Sequence, residues 1–187
     1  MRLFVAIDLP DSVKERLEAI ITELSTCRAD VRWVHFDLMH VTLKFLGNVE
    51  PQELVAIDGV LSRIAANTQP AQGRLHNVGS FPHLRRPRVL WIGVETHNRM
   101  LAALHADLDA ALAKLGFSEG IRRFHPHITL GRMRGNRRLS TLREAVEKQS
   151  GHKAEIFKIR HLTLFESRQR HGSTRYTALS THSFEAR

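Results

Sequence analysis

Three short segments share a residue pattern that could carry proton-transfer chemistry: His40-Val41-Thr42-Leu43, His127-Ile128-Thr129-Leu130 and His161-Leu162-Thr163-Leu164. In an extended strand, side chains two apart point to one face. Each segment therefore offers an imidazole and a hydroxyl together, with two apolar residues behind them for a core. Two such histidines facing each other suit in-line attack at phosphorus. One takes a proton from the incoming oxygen while the other gives a proton to the leaving oxygen. An imidazole is suited to both roles near neutral pH. The threonine hydroxyls could donate to the non-bridging phosphate oxygens, where charge builds up.

A shift of 87 residues selects two of the three. It lays Leu3-Phe4-Val5-Ala6-Ile7-Asp8 on Leu90-Trp91-Ile92-Gly93-Val94-Glu95 and Val13, Leu17 and Ile21 on Met100, Leu104 and Leu108. It also lays His40-Val41-Thr42-Leu43 on His127-Ile128-Thr129-Leu130 without a gap. The simplest account is an internal repeat, residues 2–66 and 89–150, forming two lobes related by a pseudo-twofold axis within one bilobal domain, 1–187. His161 has no partner under this shift and is expected to be a structural histidine on a terminal strand. Arg132, five residues past His127, could add a charged fork for phosphate. Strict alternation points it away from His127, so it needs a bulge, which Gly131 makes reasonable.

The elements that would position these residues follow from periodicity. Residues 2–8 form a buried strand. Ser12 with Glu15 resembles a capping box, and Val13, Leu17, Ile20, Ile21 and Leu24 give a helical stripe. Strands follow at 31–35 and 39–46, with a turn at Gly47-Asn48. Pro51 opens a second helix bearing Leu54, Ile57, Leu61 and Ile64. Further strands are expected at 73–79, 88–95, 126–132, 155–165 and 174–181, and helices at 98–115, stopped by Gly116, and at 140–149. Phe45 is expected in the core, with base stacking as the lesser reading, and Trp33 and Trp91 are expected to pack. Adjacent strands between helices indicate an α+β fold: two pseudo-symmetric lobes, each an antiparallel or mixed sheet with helices outside, around a central cleft.

Composition sets the partner class. Lys and Arg total 28 against 19 acids, a net charge of +9, which favours a polyanion, nucleic acid ahead of membrane. The arginines cluster at Arg85, Arg86 and Arg88, at Arg122 and Arg123, at Arg132, Arg134, Arg137 and Arg138, and at Arg168, Arg170 and Arg175. One cysteine, Cys27, excludes an internal disulfide framework. No apolar run reaches the length of a membrane span, so a soluble, cytoplasmic chain is expected. His125-Pro126-His127 could be half of a metal site, but no HExxH, cysteine pair or acidic cluster accompanies it. His125 is therefore expected behind the site or at the surface. No GxSxG, P-loop or GxGxxG is present.

The segments HVTLKFLG and FHPHITLGR resemble the paired His-x-Thr motifs of the 2H phosphoesterase superfamily. With RLFVAIDLP, RVLWIGV, LTLFES and TRYTAL, they extend the resemblance over nearly the whole chain to the RNA 2′,3′-cyclic phosphodiesterases, the LigT-like or 2′-5′ RNA ligase family. The resemblance implies a basic cleft between two lobes. It implies hydrolysis of a 2′,3′-cyclic phosphate to a 2′-phosphate without metal, cofactor or ATP, and reversible 2′-5′ joining of RNA ends. It makes His40 the proton donor and His127 the proton acceptor, with Thr42, Thr129 and Arg132 holding the phosphate. RNA ends, tRNA fragments among them, would be the partner of a monomer. Two other readings stay open: a 2H enzyme for another cyclic phosphate or small nucleotide, and a non-catalytic RNA-binding module.

Overall fold

The computed structural model describes residues 1–118, 120, 123–149, 155–170 and 172–185. Arg122 lies outside the described residues, as does the side chain of Arg170. The elements run β1 (Arg2–Asp8), α1 (Asp11–Ser25), β2 (Val31–Trp33), β3 (His40–Asn48), α2 (Leu54–Ala66), β4 (Ala71–Phe81) and β5 (Val89–Thr96). They continue with α3 (Met100–Ala113), β6 (His127–Met133), α4 (Leu139–Lys148), β7 (Ile156–Ile159), β8 (His161–Arg170) and β9 (Ser173–Ser183). The fold is α+β, and its strand pairs are antiparallel. Among the described residues, no helix is long and apolar enough to cross a membrane.

The strands form one sheet in the order β7-β4-β5-β6-β3-β1-β8-β9, with β2 added to β6. Its two halves join through a single registered pair, Val41 with Ile128, which are 87 residues apart in sequence. That pairing puts the pseudo-twofold axis between the two His-x-Thr strands. β7 is one end of the strand order and β8 is next to the other, yet only Arg160 separates them in sequence. The sheet must therefore curl until its ends approach each other. This corrects the single strand expected over 155–165: β7 pairs with β4 and β8 with β1.

The sheet has a helix-facing side and a cleft-facing side. Leu3, Val5, Ile7, Val41, Leu43, Leu90, Ile92, Ile128 and Leu130 are buried in the core with the helices. Val13, Leu17, Ile20 and Leu24 of α1 and Leu101, Leu104, Leu108 and Leu112 of α3 recur every three or four residues and are buried. Each such side chain contributes roughly 1.5–3 kcal/mol. The repeat persists in the helix packing, since α1 meets α4 and α3 meets α2. Two local expectations change. α1 starts at Asp11 after Pro10 with no side-chain cap, so Ser12 and Glu15 form no capping box. The strand also runs through Gly47, whose φ of +75° a glycine adopts without strain, and ends at Asn48.

Candidate active site

Both His-x-Thr strands carry a bulge directly after the threonine. Ala6 pairs with Thr42 but Val5 with Lys44, leaving Leu43 as the extra residue. Trp91 pairs with Thr129 but Leu90 with Gly131, leaving Leu130 as the extra residue. Leu43 and Leu130 are themselves 87 apart. An extra residue reverses the alternation beyond it. The same device therefore turns Phe45 and Arg132, also 87 apart, onto the face of the histidines. Arg132 is exposed there, beside His127, on the face it could reach only through a bulge. Phe45 is 67% exposed, with its ring 6.0 Å from Phe4, which corrects its expected place in the core.

Lys44 turns the other way. It is 6% exposed and donates to Asp109 of α3 and to the Ser118 carbonyl at 2.6 Å. Asp109 also accepts from the Gly120 N–H at 2.9 Å. Burial raises the Asp109 pKa, but Lys44 and Gly120 overcome this and hold it below the usual value. The adjacent His105 ring stacks on Phe124 at 4.2 Å, and its Nδ1 bonds to the Leu43 carbonyl at 2.8 Å. These contacts fix the segment leading into His127 to the strand that carries His40.

The two histidines are held alike. His40 donates Nδ1–H to the Leu38 carbonyl at 2.8 Å, and His127 donates Nδ1–H to the His125 carbonyl at 2.6 Å. Each bond spans two residues and occupies Nδ1, so that Nε2 is the nitrogen turned away from the backbone. In His40, Nε2 accepts from the Thr42 hydroxyl at 2.9 Å. The rings rest on aromatic walls. Phe4 lies 4.9 Å and Tyr176 5.3 Å from His40; Phe81 lies 5.0 Å and Trp91 6.3 Å from His127. Phe4 and Trp91 are equivalent under the 87-residue shift, so Trp91 packs as expected while also walling the site. His125 is exposed and contacts Trp91 at 4.5 Å; its carbonyl is what aims His127. His161 stands apart: β1 lies between β8 and β3.

Burial pushes His40 down to about 4, against the Leu38 hydrogen bond and Asp8, which raise it; His127 pushes it further down. Burial also lowers His127, assisted by His125 and Arg132. Both rings are therefore neutral in the free protein at neutral pH. This has a stability consequence. Between pH 6.5 and 4 the unfolded chain protonates His40 and the folded chain does not, so folding stability contributed by this residue is lost as pH falls through that window. His40→Gln is expected to flatten the pH dependence of unfolding there by about 3 kcal/mol, measured by urea titrations at about pH 4 and pH 7.

Sequence reasoning missed Tyr176 and Arg32. Tyr176, the chain's one tyrosine, reaches the site from β9 and is raised by burial, against Arg132 and Arg2. Arg32 sits opposite Arg132 in the β2–β6 pairing. No local pattern marks either of them; only the sheet order brings them in.

A curled antiparallel sheet carrying two His-x-Thr strands across a pseudo-twofold axis defines a class of two-histidine folds. Residues 9–171 match the family described as the 2′-5′ RNA ligase superfamily, and the chain belongs to that family. It is 30% identical to the RNA 2′,3′-cyclic phosphodiesterase of Methanocaldococcus jannaschii over 89% of this chain and 91% of that protein. It is 36% identical to the one from Thermotoga maritima over 72% of this chain and 71% of that protein. The fold matches E. coli LigT complexed with 3′-AMP at a TM-score of 0.76 and 29% identity, covering 99% of this chain and 98% of that chain. It also matches a crystal structure from Thermus thermophilus at a TM-score of 0.81 and 25% identity, covering 98% of each.

Proposed function

We propose that this protein is a phosphodiesterase that opens the 2′,3′-cyclic phosphate at an RNA end to a 2′-phosphate. The observation that carries this reading is the pair of identically oriented imidazoles on strands joined at Val41 and Ile128. The shared name of the curated relatives supports it. In the reaction, Nε2 of His127 takes a proton from water as its oxygen attacks phosphorus. The P–O3′ bond breaks, and Nε2 of His40 gives its proton to the departing O3′. Thr42, Thr129 and Arg132 hold the non-bridging oxygens. With an RNA 5′-hydroxyl in place of water, the same steps make a 2′-5′ bond.

His40 needs a proton that the free protein does not hold at neutral pH. The anionic phosphate, entering a buried site, supplies the favourable charge that raises its affinity for that proton. The pH profile follows with a definite sign. Because kcat/KM reports the free protein, in which His40 titrates at about 4 and His127 below 6.5, it is expected to fall as pH rises above 6.5, by up to tenfold per unit. The kcat profile, which reports the complex, holds level to higher pH. A kcat/KM that climbs from about pH 6 to pH 8 would contradict this assignment.

The reading is tested by incubating an RNA oligonucleotide bearing a 2′,3′-cyclic phosphate in EDTA and separating 2′- from 3′-phosphate products. Exclusive 2′-phosphate formation is expected. E. coli LigT has also been crystallised with phosphate, ATP and NADP+, which favours a second reading: small nucleotide cyclic phosphates as substrates. A panel of 2′,3′-cyclic mononucleotides beside the oligonucleotide distinguishes the two by kcat/KM.

A further inference from the structure

We propose that the arginine-lined rim beyond Arg132 is the track for the RNA chain on the 5′ side of its cyclic-phosphate end. This rests on the phosphodiesterase reading above, and it assigns the body of the substrate to one end of the cleft. Arg32 and Arg132 are directly paired across β2 and β6, so their side chains share the cleft face. Arg132 is near enough for its charge to act on both His127, where it adds to the lowering, and Tyr176, where it opposes the rise caused by burial. The two guanidinium groups thus begin at the catalytic pair and lead outward.

Two loops continue the line. The Met133 N–H bonds to the Arg88 carbonyl at 3.0 Å, and the Arg134 N–H bonds to the Asp30 carbonyl at 2.8 Å. The first bond joins the start of the 134–138 segment to the end of the 82–88 segment, and the second ties it to Asp30 before β2. Arg143 of α4 then fixes the second loop, donating Nε to the Leu84 carbonyl and Nη2 to the Arg85 carbonyl, each at 3.0 Å. Its charge holds backbone. Arg85, Arg86, Arg88, Arg134, Arg137 and Arg138 remain exposed around it. Among the described residues none of these six forms an ion pair with a carboxylate; Asp30 lies against Gly135 within the rim. At the opposite end of the cleft Arg168 is paired with Glu166 at 2.9 Å, and on the β4–β5 face Arg74 is paired with Glu95 at 2.7 Å.

The chemistry of the rim selects RNA over an anionic membrane. Its apolar residues Leu84, Met133 and Leu139 pack onto the core, and no large hydrophobic side chain of the rim is exposed to enter a bilayer. Arginine forks match successive phosphates, and an RNA held at its cyclic end by Arg132 has only its 5′ side left to bind.

The test compares wild type with the triple variant Arg134→Glu/Arg137→Glu/Arg138→Glu and with a control, Arg175→Glu. Each is assayed on a cyclic mononucleotide and on an RNA decamer with a 2′,3′-cyclic end. The triple variant is expected to keep wild-type kcat/KM on the mononucleotide and to lose at least about tenfold on the decamer. Its log–log salt dependence of decamer binding should flatten by about 2, since each single-strand phosphate contact contributes roughly 0.7. The control should change neither. Equal losses on both substrates, an unchanged decamer, or tighter wild-type binding to phosphatidylserine vesicles than to the decamer would overturn the proposal. Fluorescence anisotropy of the decamer reads the rim without turnover. A wild type that binds with the expected salt slope but hydrolyses neither substrate would sink the phosphodiesterase reading and leave the rim standing.

Discussion

Replacing His40 or His127 by alanine is expected to lower kcat/KM on a cyclic-phosphate RNA end by on the order of a hundredfold or more in each case, the usual contribution of a positioned general acid or base. His161→Ala is expected to stay near wild type, because β1 separates its strand from β3. The three variants carry the same chemical change in the same tripeptide pattern, so composition alone predicts equal effects. The sheet order predicts unequal ones. In the proposed mechanism His40 and His127 serve one displacement, so the double variant should be little worse than the worse single variant. Steady-state rates at saturating and limiting substrate, with circular dichroism to confirm folding, decide this.

Lys44→Met is the second large effect and acts on stability. It leaves Asp109 largely buried without its cation, and removing one partner of a buried pair costs about 3–5 kcal/mol. The Gly120 N–H still serves one carboxylate oxygen, which places the loss towards the lower figure. Asp109→Leu added to Lys44→Met removes the stranded charge and should recover most of the loss. Urea unfolding midpoints of the single and double variants measure both. The Lys44–Asp109 pair also ties β3 to the segment that enters β6. The single variant should therefore lose activity at temperatures well below its unfolding midpoint, while an exposed variant such as Arg63→Met should not.

Much of this was legible in the sequence because the repeat is ungapped. The shift of 87 aligned strand, helix and His-x-Thr strand, and the observed pairing of Val41 with Ile128 follows from that alignment. Period-two alternation correctly placed each histidine with its threonine. It failed just beyond, at Lys44 and Phe45, because Leu43 bulges and exchanges their faces. The sequence does hold a clue: the bulge that Arg132 needs has its counterpart 87 residues earlier. The register itself was hidden. Ile7 pairs with Val41, whereas Ile92, not Val94, pairs with Ile128, a slip of two residues between the halves. A slip of two keeps every side chain on its face, so no hydrophobic pattern records it. Arg160 is likewise silent, since a strand-like pattern continues through it while the chain passes from the edge strand β7 to β8, beside the opposite edge strand β9. Tyr176 and Arg32 reach the site through pairings that no local motif encodes.

The division of labour between the two histidines is open to one direct measurement. A 2′,3′-cyclic substrate with sulfur replacing the bridging 3′ oxygen expels a thiolate, whose conjugate thiol has a pKa of about 8.5 and so needs no proton from the protein. With His40 as acid and His127 as base, His40→Ala should recover most of its lost rate on this substrate, and His127→Ala should remain as impaired as on the oxygen substrate. Recovery in His127→Ala instead would exchange the two roles, and equal impairment of both variants on both substrates would contradict catalysis by an opposed acid and base.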